Sequence, residues 1–274
     1  MKKIGFVILT WNSSKVIRKC IESIVNINSL NADIVIVDNG STDDTLEIIN
    51  SIVYPNHHSL SVIKFSENLG TTISRNKAIN DLKLRQVDYF CILDSDTEIN
   101  ENAIEKMIDY LECNKDCGVV GPKMITSDGV VQISGRCFPT VTEKICKAIP
   151  IKSIQAIGEA KEEVVSREIM TGAYPVDYLM SACWVIPSRV IDKVGLLDEK
   201  IFYAPEDVEY CIRVWQGGYK VVYYPEAHII HEWQRLSKKK FISKMNWEHI
   251  KGLAYMFKKH KYVFNASKIR DNKQ

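Results

Sequence analysis

Short apolar runs alternate with amphipathic segments through the first half of the chain. Four of these runs predict β-strands: KIGFVIL, DIVIVD, LSVIKF and DYFCILD. After the first run, apolar residues recur at helical spacing, at positions Val16, Ile17, Cys20, Ile21, Ile24 and Val25. Strands that alternate with helices indicate an α/β fold built on a doubly wound, mostly parallel sheet.

Polar residues at the starts of the helical segments predict how those helices are capped. We expect Ser13 or Ser14 to cap the first helix, and Ser41 with Asp44 to form a capping box before the second. Asn100 is the expected cap of the helix after the fourth strand.

The second half of the chain has a less regular pattern. Residues 139–175 show no clear period, which indicates a long irregular segment near the site. VDYLMSACWVIP and YKVVYYP are typical of strands, and DVEYCIRVWQ of a helix that the following glycines end. We expect one domain over residues 1–232, divided at 97/98, and a basic helical extension over 233–274.

The composition is typical of a globular protein, with 274 residues of which 46% are hydrophobic. The eight cysteines are scattered, and Cys113 and Cys117, the only close pair, have no second pair or histidine cluster beside them. The apolar N-terminal run is too short to span a bilayer. These features predict reduced thiols and a cytoplasmic location.

Charge is distributed unevenly along the chain. Residues 233–274 carry 12 Lys and Arg against 2 Asp and Glu, whereas the rest of the chain carries 24 against 32. Such a basic segment is expected to contact something anionic. Phe241, Met245, Ile250, Leu253 and Phe257 follow a roughly helical spacing there. Two interpretations stay open: a charged helix packed on the body, or a peripheral anchor at an anionic membrane.

Polar residues follow each of the four predicted strands, where parallel sheets bind their ligands. Asp94 and Asp96 end the fourth strand, and two carboxylates so close together suit a divalent cation, Mg²⁺ or Mn²⁺, shared with a substrate phosphate. The alternative is a turn with solvated carboxylates. The first strand is followed by LTWNSS and not by a glycine-rich phosphate loop, which argues against a dinucleotide dehydrogenase or a P-loop enzyme.

Three further positions offer reactive side chains. Glu206 and Asp207 stand at a predicted helix start, where a carboxylate serves either as a cap or as a general base. His231 follows an apolar run and is either a packed residue or a metal ligand.

Six segments, in this order, resemble the family 2 glycosyltransferases, which have the GT-A fold: VILTWN, VIVDNGSTDDT, SENLGTTISRNKAI, ILDSDTEI, GLLDEKIFYAPEDVEYCIRVWQGGY and HIIHEWQRLS. The resemblance covers roughly residues 4–237. Within the family, the sub-pattern VDNGSTD, NLG, YAPEDVE and a late histidine is most similar to bacterial rhamnosyltransferases of cell-surface polysaccharide synthesis.

The resemblance implies a role for each matching residue. Residues 1–97 would bind the nucleotide sugar and 98–232 the acceptor. The implied nucleotide-sugar contacts are Thr10, Trp11, Asn12, Asp38, Asn39, Asn68, Gly70, Arg75, Asn76, Asp94, Ser95, Arg235 and Ser237. Asp96 and His231 would bind the metal, and Asp207, beside Glu206, would be the catalytic base. Trp11 and Asn39 depart from the family pattern, which often has Tyr and Asp there.

The implied activity is inverting, Mn²⁺- or Mg²⁺-dependent transfer of a sugar from a nucleotide diphosphate donor to a glycan or lipid-linked acceptor. The implied donor is dTDP-rhamnose, with a UDP-hexose or UDP-N-acetylhexosamine as the alternative. A non-catalytic nucleotide-sugar-binding protein is the alternative from another class. We expect no nucleic-acid partner, and peripheral attachment to the inner face of the membrane if the basic tail is an anchor.

Overall fold

The computed structural model describes residues 2–162, 172–232 and 244–271. Within these ranges it has twelve strands: β1 (Lys3–Thr10), β2 (Asn31–Asp38), β3 (Ser59–Lys64), β4 (Tyr89–Asp94), β5 (Thr97–Glu98), β6 (Cys117–Ile125), β7 (Val131–Gln132), β8 (Gly135–Arg136), β9 (Tyr174–Pro175), β10 (Tyr178–Leu179), β11 (Cys183–Pro187) and β12 (Lys220–His231).

The same ranges contain ten helices: α1 (Ile17–Val25), α2 (Thr45–Asn50), α3 (Thr71–Leu84), α4 (Glu101–Cys113), α5 (Val141–Ala148), α6 (Lys152–Glu162), α7 (Ser188–Val194), α8 (Glu206–Gln216), α9 (Lys244–His260) and α10 (Ser267–Asp271). Asn100 caps α4 as predicted, because its Oδ1 accepts the N–H of Ala103 at 2.9 Å.

One large sheet organises the molecule, in the strand order β3-β2-β1-β4-β11-β6-β12-β5, with β7 beside β6 and β9 beside β12. The four strands predicted from the first half are parallel neighbours. β11 runs antiparallel between β4 and β6, and β12 is parallel to β6. The prediction of a doubly wound, mostly parallel α/β sheet is confirmed.

The unbroken apolar character of the central strands follows from burial on both faces of the sheet. Ile4, Phe6 and Ile8 of β1 belong to one core cluster, which also contains apolar residues of α1, α2 and α4. Val7 points to the opposite cluster, which contains apolar residues of α3, α7 and α8. With both faces covered, polar groups collect where the strands end.

Strand register brings these ends to one level. Thr10 is paired with Asp38 on β2, and Leu9 with Asp94 on β4. The loops after β1, β2 and β4 therefore leave the sheet side by side, as expected for a parallel sheet that binds a ligand at its carboxyl edge.

The predicted serine cap of α1 is wrong. The helix has no side-chain cap at its N-terminus. Instead, the Ser13 carbonyl accepts the N–H groups of Val16 and Ile17, each at 3.0 Å. The Ser13 hydroxyl lies 2.9 Å from Ser95 Oγ, in a contact between two strand-end loops that the local sequence does not encode.

The predicted capping box of Ser41 and Asp44 is also wrong, because α2 has no side-chain cap from Asp44. The carboxylate of Asp43 accepts the Thr45 N–H at 3.1 Å. Ser41 Oγ instead accepts the N–H of Asn12 at 2.9 Å and so ties the loop after β2 to the loop after β1.

Residues 139–175 are more regular than predicted, since α5 and α6 occupy most of their first half. Thr140 and Glu143 form a capping box at the start of α5. The signal was present in the sequence, but α5 is only 8 residues long and its apolar period is too brief to stand out. Residues 163–171 of this segment lie outside the described residues.

Helix α9 lies within the predicted basic extension and packs on the body of the protein. Met256 is fully buried, and Leu253 and Phe257 pack against the core. A Cβ at Gly252 would lie 2.3 Å from the Ala204 carbonyl oxygen, so only glycine permits this close contact. Phe241 lies outside the described residues. The division of the chain at 97/98 and 232/233 stays a prediction.

Charge pairs hold the C-terminal end of α9 on α8. Glu209 of α8 is fully buried and accepts from Lys259 at 2.7 Å and from Arg213 at 2.9 Å. Its carboxylate also lies 3.2 Å from His260. Lys259 contacts Asp198 at 2.5 Å as well. Part of the basic tail therefore meets acidic groups of the protein's own body.

None of the helices in the described ranges combines the length and apolar character that crossing a membrane requires.

Gly252→Ala tests the contact between α9 and the segment before α8. Alanine normally stabilises a helix interior relative to glycine by about 0.5–1 kcal/mol. Here the new methyl group would collide with the Ala204 carbonyl, so we expect the free energy of unfolding to fall by about 1–3 kcal/mol in urea titrations. The control, Lys258→Ala on the exposed face of α9, should change it by less than about 0.5 kcal/mol. Stabilisation by Gly252→Ala would contradict the packing.

Candidate active site

A cavity of about 560 Å³ opens at the carboxyl edge of the parallel strands. This volume suits a drug-sized or cofactor-sized ligand. Twelve residues singled out from the sequence line it: Trp11, Asn12, Asn39, Asn68, Gly70, Arg75, Asp94, Ser95, Asp96, Glu206, Asp207 and His231.

Asp94, Asp96 and His231 form a cluster of metal-ligand type. Oxygen and nitrogen atoms of the three side chains lie within 4.8 Å of one another. Antiparallel pairing of β12 with β5 sets His231 opposite Thr97, which brings the histidine beside Asp96. Its Nε2 lies 3.4 Å from Asp96 Oδ1. Two carboxylates and an imidazole are a donor set that fits Mn²⁺ or Mg²⁺.

A glutamine from the neighbouring strand orients the histidine. His231 Nδ1 lies 2.6 Å from Gln132 Oε1 on β7, so Nδ1 donates to the glutamine and Nε2 is the ring nitrogen that faces Asp96. Such a partner on the far nitrogen is typical of metal-binding histidines. Burial opposes the charged form of His231, but the hydrogen bond and charge of Asp96 outweigh it and raise the pKa.

Arg75 of α3 links the metal-ligand cluster to the start of α8. Its side chain is buried and lies 2.6 Å from Asp94 Oδ1 and 3.2 Å from Glu206 Oε1. It also donates to Ser181 Oγ at 2.8 Å. Because a guanidinium keeps its charge, both carboxylates are held against it.

Glu206 and Asp207 stand in the first turn of α8, where the helix dipole favours negative charge. Burial raises the pKa of Glu206 to about 8, and the charge of Asp207 adds to this effect. Burial also raises the pKa of Asp207 to about 6, although the Val208 N–H and the charge of Arg75 act in the opposite direction. Ser181 Oγ donates to Glu206 at 3.0 Å, whereas Asp207 accepts only from the backbone N–H of Val208 in the described part of the chain.

The loop before α3 forms another wall of the cavity. Asn39 is buried at the end of β2; its Oδ1 accepts the Leu69 N–H and its Nδ2 donates to Asn68 Oδ1, both at 2.9 Å. Gly70 has φ +90°, and a Cβ there would lie 2.3 Å from the Phe202 carbonyl oxygen. Asn39 therefore shapes the loop through hydrogen bonds, which an aspartate with no N–H to donate cannot all reproduce.

Three predicted site residues are not brought to the cavity. Thr10 and Asp38 are each 1% exposed and lie behind its wall. Asn76 is also buried; it donates to the Leu197 carbonyl at 2.9 Å and accepts the Leu197 N–H at 3.0 Å, so it holds the loop after α7. Arg235 and Ser237 lie outside the described residues.

Sequence reasoning missed several lining residues: Ser13, Met180, Ser181, Ala182, Phe202, Tyr203 and Met245. Ser13 lies in the loop after β1, next to Asn12, and could have been found by the strand-end rule. The others come from segments whose position depends on how β11, α8 and α9 pack. Gln132 was also missed, because nothing local marks a glutamine as the partner of a histidine 99 positions away.

Two relatives that align with most of this chain are glycosyltransferases. The N-acetylglucosaminyl-diphospho-decaprenol L-rhamnosyltransferase of Mycobacterium tuberculosis is 24% identical over 208 residues, which is 72% of this chain and 66% of that protein. A dolichyl N-acetyl-alpha-D-glucosaminyl phosphate 3-beta-D-2,3-diacetamido-2,3-dideoxy-beta-D-glucuronosyltransferase of Methanococcus voltae is 24% identical over 258 residues, covering 92% of this chain and 74% of that protein. The match to the mycobacterial protein spans just under two thirds of its length.

Solved glycosyltransferases share the fold. Staphylococcus aureus TarS in complex with UDP-GlcNAc aligns with a TM-score of 0.61 at 16% identity, over 99% of this chain and 70% of that one. The mannosyltransferase PcManGT from Pyrobaculum calidifontis, with GDP-Man and Mn²⁺, aligns with a TM-score of 0.59 at 13% identity, over 97% and 66%. The predicted GT-A architecture is confirmed.

The model of the family described as "Glycosyl transferase family 2" matches residues 6–152. This range begins within β1 and includes β2 to β4, the loops at the carboxyl ends of these strands and both aspartates of the metal-ligand cluster. With more than half of its length matched, the chain belongs to glycosyl transferase family 2.

Proposed function

We propose that this protein transfers a sugar from a nucleotide diphosphate donor to a hydroxyl of a glycan or lipid-linked acceptor. One observation carries the proposal: a single cavity is lined both by a metal-ligand cluster, Asp94, Asp96 and His231, and by a carboxylate of raised pKa, Asp207. A diphosphate leaving group needs the metal ion that such a cluster would bind, and an attacking hydroxyl needs a carboxylate that takes its proton.

Donor binding is assigned to the loops after β1, β2 and β3. Trp11 is 49% exposed at the cavity and offers a flat apolar face on which a base can stack. Asn12 and the Asn68–Gly70 loop supply polar groups and backbone around it. A base, ribose and diphosphate laid along this edge would end at Asp94 and Asp96.

Asp96 and His231, with Asp94 beside them, would hold Mn²⁺ or Mg²⁺. A bound divalent cation offsets the negative charge that the diphosphate gains as it leaves. Arg75 contributes its fixed positive charge behind Asp94 and keeps that carboxylate oriented toward the cavity.

Asp207 is assigned as the general base. It takes the proton of the acceptor hydroxyl while the acceptor oxygen bonds to the anomeric carbon and the bond from that carbon to the diphosphate oxygen breaks. A single displacement of this kind inverts the anomeric configuration. Glu206, with its pKa raised to about 8, already carries a proton near neutral pH, and its contacts with Arg75 and Ser181 position α8.

We assign dTDP-rhamnose as the first donor to test, since a curated relative is a rhamnosyltransferase. UDP-hexoses and UDP-N-acetylhexosamines are the second candidates, because a solved structure of the same fold contains UDP-GlcNAc. We place the reaction in the cytoplasm, because eight free thiols are typical of a reducing compartment.

Metal-dependent donor binding is tested by thermal unfolding with dTDP, UDP and GDP, each with and without Mn²⁺. A ligand that binds the folded state raises the Tm by mass action. We expect a Mn²⁺-dependent rise with one nucleotide, and its loss in Asp96→Ala. The matched control is Asp109→Ala, which removes an exposed carboxylate of α4 and should leave the rise unchanged. An undiminished rise in Asp96→Ala would exclude Asp96 from the metal site.

Asp207→Asn separates binding from turnover. The amide keeps the size of the side chain but cannot accept the proton, so kcat should fall about 10²- to 10⁴-fold. Binding of the preferred nucleotide with Mn²⁺, measured by calorimetry, should stay within about twofold of wild type. Wild-type turnover in the variant would remove Asp207 from the reaction.

The pH profile tests the protonation state of the base. Asp207 acts only when deprotonated, and burial sets its pKa at about 6. Arg75, Arg136 and Lys144 favour the charged form of Asp207. Glu206, with a pKa raised to about 8, stays largely protonated below that pH. We expect kcat/KM at saturating metal to rise tenfold per pH unit below about 6 and then level off. A rate that does not change across this pH would contradict the assignment.

A further inference from the structure

Exposed apolar side chains are concentrated in two segments. Seven of the fourteen large apolar side chains exposed in the described residues lie in residues 141–162 and 244–271, which are a minor part of the chain. We call six of them the apolar rim: Ile145, Ile151, Ile157, Trp247, Ile250 and Phe264. Apolar patches that remain in water usually mark an interaction site.

The two segments that carry the apolar rim touch one another. α5 and α6 pack as a hairpin, in which a Cβ at Gly158 would lie 3.1 Å from Cys146 Cβ. The N–H of Val141, at the start of α5, donates to the Val263 carbonyl at 2.9 Å. The apolar rim is therefore carried by neighbouring segments, the α5–α6 hairpin and α9 with the segment that follows it.

α9 has a buried face and a face of unusual composition. Gly252 and Met256 face the body, whereas Trp247, Ile250, Lys251, Ala254 and Lys258 form an exposed stripe at spacings of three and four residues. Trp247 is 59% and Ile250 56% exposed. The stripe itself has no carboxylate, but Glu248 beside it pairs with Lys251 Nζ at 2.9 Å, so Lys258 is the stripe's cation without a carboxylate partner among the described residues. A tryptophan and an isoleucine among lysines are typical of a helix that lies in a membrane interface.

The charge of the region is complementary to an anionic surface. Lys152 and Lys161 are exposed on α6, and Lys258 and Lys261 are exposed at and after the end of α9, whereas Glu159 is the exposed carboxylate of α6. Lysines near a membrane surface contribute about 1 kcal/mol each when the lipids are anionic. A second copy of this chain would bring the same positive charges face to face.

The cavity opens beside this region. Met245 of α9 lines the cavity and lies only two residues before Trp247. An object seated on the apolar rim would consequently lie next to the part of the cavity wall that Met245 forms.

We propose that the apolar rim and the lysines around it seat the enzyme on an anionic phospholipid surface, with the mouth of the cavity turned toward the headgroups. Trp247 and Ile250 insert at the interface, and Lys258, with the exposed lysines of α6, contacts lipid phosphates. The consequence for catalysis, access to a lipid-linked acceptor, rests on the proposed function; the docking itself does not.

Vesicle flotation tests the docking with the full chain. Wild type should float with phosphatidylcholine vesicles that contain phosphatidylglycerol, stay unbound with phosphatidylcholine alone, and dissociate as salt is raised. Trp247→Ser/Ile250→Ser should reduce the bound fraction at least about tenfold. The matched control is Val53→Ser/Leu84→Ser, which removes two apolar side chains outside the apolar rim that are even more exposed, at 91% and 84%, and should float like wild type.

Three results would overturn the proposal. The first is that wild type does not float with anionic vesicles, and the second is that both double variants float equally well. The third is that wild type sediments as a dimer and that Trp247→Ser/Ile250→Ser converts it to a monomer. Thermal unfolding confirms that each variant is folded, since all four side chains are exposed. Nucleotide binding in solution is measured in a separate assay, so the flotation result can be interpreted even if the proposed function is wrong.

Discussion

One buried guanidinium sets the geometry on which the candidate site depends. Arg75 lies between Asp94 at the end of β4 and Glu206 at the start of α8, and it also bonds Ser181 just before β11. An arginine removed from water without its partners is strongly destabilising, so these partners must converge on it in the folded state. The distance between the metal-ligand cluster and the carboxylates of α8 is thereby fixed by the chain itself, before any ligand binds.

The same arrangement separates two adjacent carboxylates. Glu206 is engaged by Arg75 and Ser181, whereas Asp207 accepts a single backbone N–H in the described part of the chain. Burial raises both pKa values, to about 8 for Glu206 and about 6 for Asp207. Neighbouring acids with different pKa values can take different roles, and here the one with the lower pKa and fewer partners is the better proton acceptor near neutral pH.

The positive charges of the basic C-terminal segment have two different surroundings in the structure. Lys259 and His260 turn inward to the buried Glu209 of α8, so the basic segment compensates part of the acidic body. Lys251 and Lys258 turn outward beside Trp247 and Ile250. Of the two sequence interpretations, the buried face of α9 shows the helix packed on the body, and the membrane anchor is our proposal for its exposed face. Amphipathicity alone could not distinguish them, because both faces of α9 contain apolar side chains.

The sequence by itself determined the parallel half of the sheet, its helices and the strand-end positions of Asp94, Asp96 and Asn39, because local periodicity and strand order dictate these. It also placed His231 and Asp207 among the candidates. Only the tertiary structure decided that Gln132 orients His231, that Asn76 supports a loop and that Thr10 and Asp38 lie behind the cavity wall. It likewise decided that α9 packs against the Ala204 carbonyl at Gly252, where a side chain would collide. These outcomes depend on contacts between residues far apart in the chain, whose distances are set by packing and leave no periodic trace in the sequence.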